Sequence, residues 1–165
     1  LIIIIFSSNA FATDIRVLDF QKIIDNNIHI SLLYDQIEKD QISHKEEFKK
    51  QELDLQSELE RIEKLNLILE PTELEKEIEI YNQQLINFND NIEKFNLHYE
   101  LQINNLKNII INIILEELKK YSEDKKIDLI LDSKNYILSS NSINITDLIQ
   151  ELVNITKIEI NFEKY

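Results

Sequence analysis

The sequence predicts a mostly α-helical α+β protein, with a long antiparallel helical hairpin (a coiled-coil arm) attached to a small body of short strands. The first observation behind that expectation is a periodicity. Between residues 72 and 121, apolar side chains recur at Leu74, Ile78, Tyr81, Leu85, Phe88, Ile92, Phe95 and Tyr99, in alternating steps of four and three. The register continues through Gln102, Leu106, Ile109 and Ile113, with Gln102 its one polar break. A 3.5-residue spacing sustained this long marks a helix that buries one narrow stripe on a partner helix. Second, the 165 residues include no Gly and a single Pro, Pro71. Average usage would supply about a dozen Gly, so turns that need them are few and helix can dominate. Third, short β-branched runs lie near both ends of the chain, outside the periodic region.

In chain order, residues 1–6 are continuously apolar and are followed by Ser7, Ser8, Asn9 and Ala10-Phe11-Ala12. An apolar core ending in small-x-small predicts the remnant of a secretory signal, cleaved after Ala12. The run is too short to span a bilayer, so no stable membrane insertion is expected. IRVLDF, residues 15–20, reads as a short strand with apolar residues on both faces. From Asp19 or Gln21 the pattern turns helical through Ile23, Ile24, Ile28, Leu32, Leu33 and Ile37, with Asp25-Asn26-Asn27 the expected kink. Beyond Asp35 a water-facing helix carries a loose stripe of Ile42, Phe48, Leu53, Leu55, Leu59, Ile62, Leu65 and Ile68. Glu46–Lys50 and Glu60–Lys64 are acid-first pairs at i, i+4.

The first long helix must stop near residues 69–72. Pro71 disfavours α geometry at Glu70, yet suits the first position of a new helix, whose N-terminal dipole favours Glu73, Glu75 and Glu77. A short break between two long amphipathic helices predicts an antiparallel hairpin, residues 35–121, with its tip near 69–72. At about 1.5 Å per residue the second helix is about 75 Å long, too long for a compact domain to enclose. Ile127 to Leu131 (IDLIL) reads as a second strand and Tyr136 to Leu138 as a third, with Asp132-Ser133-Lys134-Asn135 turning between them. Thr146 is the expected cap of a short amphipathic helix bearing Leu148, Ile149, Leu152 and Val153. The tail, residues 157–165, alternates through Ile158, Ile160 and Phe162 and fits either an extra edge strand or a disordered end.

Charge narrows the function classes. With 18 basic and 31 acidic residues the net charge is −13, which argues against a nucleic-acid partner. Without cysteine there are no disulfides and no thiolate metal sites.

The order of parts resembles the Skp/OmpH family of periplasmic chaperones for outer-membrane proteins. The likeness rests on the A-x-A ending, on IRVLDF followed by QKII, and on the break before PTELEKEIEIYNQQ. Its most specific block is DKKIDLILDSKNYILSSNSINITDLIQELVN. Where the family starts its last helix with a "DIT"-like triplet, this chain has Asn144, Ile145 and Thr146, so the first position differs. The resemblance implies a jellyfish-like homotrimer. Three chains would join short strands in a barrel, and helical arms would enclose unfolded outer-membrane β-barrel proteins without ATP. Residues 13–34 and 122–165 would be the trimerisation body and 35–121 the arm. The chain departs from basic relatives, because its arm holds 11 basic and 20 acidic residues, a net of −9. No position matches the family's basic lipopolysaccharide-binding cluster.

The physics of a small body agrees with a trimer. Three short strands and one helix bury too little apolar surface to be secure alone, and further copies would close the strand edges. Ile15, Val17, Leu18, Phe20, Ile127, Leu129, Leu131, Tyr136 and Leu138 are the candidate trimer-body residues.

No chemistry-bearing constellation emerges. His29, His44 and His98 have no partner at a metal-ligand spacing, and no serine sits in a nucleophile elbow. The acidic residues from 70 to 79 read as a solvated helix face rather than a catalytic pair, because nothing apolar surrounds them. Catalytic residues, cofactors and metals are therefore not expected. Tyr81, Phe88, Phe95 and Tyr99 lie on the stripe and are expected in the helix seam. Phe48, on the sparser helix, fits either seam or client. The apolar residues off the seam, Ile80, Ile86, Leu97, Leu101 and Ile103, are the better client-binding candidates. A rival from another class is a structural coiled-coil envelope protein, a spacer or tether with no client.

Overall fold

A computed structural model describes residues 13–165, so the signal remnant expected at residues 1–12 lies outside the described residues. The chain divides into two compact units, one from residues 13–30 and 107–158, the other from residues 31–106 and 159–165.

In the first unit, strand β1 (Ile15–Leu18) pairs in parallel with β2 (Leu129–Asp132), Ile15 opposite Leu129 and Leu18 opposite Asp132. Adjacent Val17 and Leu18 are both buried, as apolar residues on both faces of a strand require. Helix α1 (Phe20–Asp25) starts where Asp19 Oδ1 accepts from Lys22 N at 2.9 Å, an N-cap that ends the strand. The expected kink is a full break. Asn27 is buried, its Oδ1 accepts from His29 N at 2.9 Å, and α2 (Ile28–Leu65) begins there. Helix α4 (Thr146–Ile155) packs on α1, and Ile23, Ile110, Ile114, Ile149 and Val153 form the core of the unit.

Four sequence expectations need correction in this unit. The first strand ends at Leu18, because Asp19 caps a helix. The second starts at Leu129 rather than Ile127, since Ile127 follows the left-handed residue Lys126 (φ 56°) that terminates α3. Residues 136–138 are not a strand. A 3-10 turn, Ser133–Asn135, precedes them, and Ile137 and Leu138 are 105% and 89% exposed, with no neighbouring strand to pair against among the described residues. Thr146 is the first helical residue rather than the cap. Asn144 Oδ1 accepts from Thr146 N at 2.9 Å and from Thr146 Oγ1 at 2.7 Å, while Thr146 Oγ1 accepts from Asp19 N at 2.8 Å. The threonine hydroxyl thus joins the end of β1 to the start of α4.

In the second unit α2 lies beside α3 (Pro71–Lys125), with Pro71 at the first helical position. Contacts fall along α3 as they rise along α2: Asp40 meets Tyr99, Phe48 meets Phe95 and Phe88, and Arg61 meets Glu77. On α3 the 3.5-residue stripe faces inward from Tyr81 to Leu106, but Ile78 is exposed. In the first unit the stripe changes. Leu106 is followed by Ile110 and Ile114 as the buried positions, with Ile109 exposed and Ile113 half-buried. A straight helix of 3.6 residues per turn drifts off a strict heptad, and here the drift amounts to one residue.

Helix α2 departs further from its expected stripe. Ile42, Leu53, Leu59 and Ile68 are exposed. The inward positions run Ile37, Asp40, His44, Phe48, Gln51, Leu55, Glu58, Ile62 and Leu65, nearly a heptad, with polar residues filling four places. Neither Glu46–Lys50 nor Glu60–Lys64 forms an ion pair among the described residues. Arg61 instead pairs with Glu58 at 2.6 Å and with Glu77, in line with the small and variable value of exposed pairs.

Candidate functional site

Two features of the second unit can bind something. The first is a set of exposed apolar side chains on α3. Ile80, Ile86, Leu97 and Leu101 are 53%, 59%, 48% and 54% exposed, while Ile103 is half-buried. They project where the heptad stripe does not, so helix packing leaves them in water. Phe48 is placed differently. Its ring centroid lies 5.0 Å from that of Phe95 and 6.3 Å from that of Phe88, in edge-to-face packing between α2 and α3.

The second feature was not foreseen. Residues 159–165 pack onto α2 and α3 around a buried carboxylate. Asp40 is 8% exposed, and its Oδ2 accepts from Tyr99 Oη at 2.8 Å and from Tyr165 N at 3.1 Å. Burial pushes the Asp40 carboxyl up, but the Tyr165 N–H, the Tyr99 hydroxyl and the nearby His44 and Lys164 charges together hold it below the ordinary value. Burial, and then the Asp40 bond, push the Tyr99 phenol well above its ordinary value. The Tyr165 ring sits edge-on to His44, Phe95 and His98, at centroid distances of 5.5, 5.1 and 5.6 Å. Gln102, the polar break in the stripe, reads the tail's main chain. Its Nε2 donates to Glu163 O and its Oε1 accepts from Glu163 N, both at 2.9 Å, and His98 Nε2 lies 2.8 Å from the same carbonyl.

Sequence reasoning missed this cluster because it followed apolar residues only. The signal was available: Asp40 and His44 continue the inward spacing of Leu33 and Ile37, and Gln102 breaks a long apolar stripe at one place. Among the trimer-body candidates, Val17 and Leu18 are buried within their own chain. Phe20, Ile127, Leu131 and Tyr136 are half-buried, whereas Ile15, Leu129 and Leu138 are exposed. His44 and His98 belong to the aromatic cluster, and no group of metal-binding side chains occurs among the described residues. No described helix is long and apolar enough to cross a membrane.

Two long helices, with apolar side chains left exposed along one of them, and a small parallel strand pair define a predominantly helical fold. The chain belongs to the OmpH-like outer membrane protein family, whose profile matches residues 14–153. It is similar in fold to the crystal structure of a candidate outer membrane chaperone (OmpH-like) from Caulobacter crescentus CB15, with a TM-score of 0.71 at 9% identity. That likeness covers 93% of this chain and 90% of that one. No curated protein sequence matches the chain.

Proposed function

We propose that this protein is an ATP-independent periplasmic holdase that binds unfolded outer-membrane β-barrel proteins and prevents their aggregation. The observation that carries the reading is the set Ile80, Ile86, Leu97 and Leu101, four large apolar side chains standing in water along one helix. A protein with no partner rarely exposes such residues in numbers, and membership of the OmpH-like family supports outer-membrane proteins as the partner class. The half-buried Ile103 completes the candidate surface, whereas Phe48 packs between α2 and α3 and belongs to the seam. Grip is multivalent and apolar, no bond is made or broken, and the protein is not an enzyme.

In this reading α2 and α3 form an antiparallel coiled-coil arm over residues 35–121, with its tip near 69–72. Residues 13–34 and 122–165 form the trimerisation body, and three arms enclose a client cavity. The exposed Ile15, Leu129 and Leu138, and the fully exposed Ile137, support the trimer, because a two-stranded sheet is marginal alone. Residues 1–12 serve as the signal, removed after Ala12.

The test is light scattering of the chain from Thr13 onward, with and without an unfolded outer-membrane β-barrel protein. A trimeric mass and a clear client solution are expected. A dimer that leaves the client to aggregate would make the protein a structural spacer instead.

A further inference from the structure

The tail KIEINFEKY, residues 157–165, lies past Val153, the last residue matched to the family. Ile158, Ile160 and Phe162 are half-buried, and Lys157, Glu159, Asn161 and Glu163 between them are exposed. What holds the tail is largely blind to its side chains. Gln102 takes both main-chain polar groups of Glu163, as a neighbouring strand would, and Asp40 takes the N–H of Tyr165. Selectivity comes from the aromatic seat that His44, Phe95 and His98 make for one ring.

The seat does not end at that ring. Tyr165 Oη donates to Asn91 O at 3.3 Å, and Asn91 also lines an open recess of about 540 Å³ shared with Gln51, Asp54, Leu55, Glu58, Gln84, Asn87 and Phe88. Amide side chains both donate and accept, so they can pair with any peptide plane. Phe88 and Leu55 add apolar surface. Arg61 engages the Glu58 carboxylate and Asp54 adds an acceptor for peptide N–H groups, so the groove suits a peptide backbone with spaced apolar side chains, and it extends beyond what the tail fills.

We infer that this groove binds unfolded segments that alternate apolar and polar residues and carry an aromatic ring, with residues Glu159–Tyr165 as its internal occupant until such a segment displaces them. Alternation with aromatic residues is the chemistry of a transmembrane β-strand, and the inference rests on the holdase reading for that choice of partner. A tethered occupant competes at high effective concentration, so a single weak segment is kept out and a long client that also holds the apolar row gets in.

The probe is a fluorescein-labelled nonapeptide that alternates valine and threonine and contains one tyrosine, followed by anisotropy against the full chain. Loosening the tail with Phe162→Ala and Tyr165→Ala should tighten probe binding about tenfold, as for a groove otherwise closed nine-tenths of the time. Adding Gln102→Ala should remove that gain, with Gln102→Glu as substitute if helix content falls. Absence of a gain, or a gain that survives both Gln102 variants, overturns the inference. It is also overturned if a peptide of the chain's own tail sequence binds and the alternating probe does not, since the groove would then seat only the tail of a second copy. Aggregation of an unfolded β-barrel protein is followed in parallel. Suppression without a peptide gain sinks the groove and leaves the holdase, whereas a peptide gain without suppression does the reverse.

Discussion

The phenol of Tyr99 on α3 donates a 2.8 Å hydrogen bond to the buried carboxylate of Asp40 on α2, and the same oxygen receives the main-chain N–H of Tyr165. A charge and a hydroxyl thus sit where a coiled coil ordinarily places leucine. Tyr99→Phe removes one donor from a buried acceptor and should destabilise the protein by about 1–3 kcal/mol. Urea unfolding followed by circular dichroism reads that loss; a midpoint equal to wild type would show that the bond contributes nothing.

Acid should act through the same carboxylate. The folded Asp40 and Asp132 carboxyls both lie below the ordinary value of 3.8. For Asp132 the Phe20 N–H is the main cause; burial opposes it, and the Ser133 and Lys134 N–H groups and the Lys134 charge assist. A depressed folded pKa means stability that is present above the unfolded value and lost as pH falls through the folded one. Unfolding free energy should therefore fall below about pH 4, with a shallower fall in Asp40→Asn. Identical acid limbs for the two proteins would remove Asp40 from the explanation.

Lys126 adopts φ 56° at the end of α3, a position usually given to Gly, which this chain lacks. Its Cβ is crowded by about 1 kcal/mol in that region. Lys126→Gly should raise the melting temperature by about 2–4 °C, measured by calorimetry. A lower melting temperature would mean that Lys126 makes a compensating contact.

Ile80, Ile86, Leu97 and Leu101 replaced together by Ser should leave helix content and mass unchanged, because none of them lies on the buried stripe. Suppression of client aggregation should weaken several-fold, since many small apolar contacts contribute to the grip. Full suppression by the quadruple variant would move the client surface elsewhere.

The acidic residues that outnumber basic ones along 35–121 lead to an expectation about salt. If charge only sets encounter, raising ionic strength should leave client capture equal or better, because screening relieves repulsion between acidic surfaces. Capture measured by scattering across a salt series decides it; a steep loss would assign the grip to ion pairs.

The helical part of the fold was legible in the sequence because a heptad is a direct image of one-sided burial. Tyr81 through Leu106 face inward as the spacing requires, and Pro71 opens α3. The register failed at Ile109, where nothing in the apolar pattern distinguishes a supercoiled helix from a straight one. On α2 the failure was of another kind: Asp40, His44, Gln51 and Glu58 occupy inward positions, and a search for apolar side chains passes over them. Residues 136–138 have strand composition, but a strand also needs a neighbour, and the described residues supply none. The site around Tyr165 joins three segments, near residues 40, 99 and 165, each about sixty residues from the next, and local periodicity carries no information at that range.

The uneven filling of the α2 stripe also fixes alignment. A seam of uniform leucines could slide by seven residues with little change in free energy. Here such a step would set the Asp40 carboxylate against Ile92 or Leu106 in place of the Tyr99 hydroxyl, stranding a charge among hydrocarbon. One aspartate therefore specifies which turn of one helix meets which turn of the other, and misaligned pairings are rejected as the chain folds.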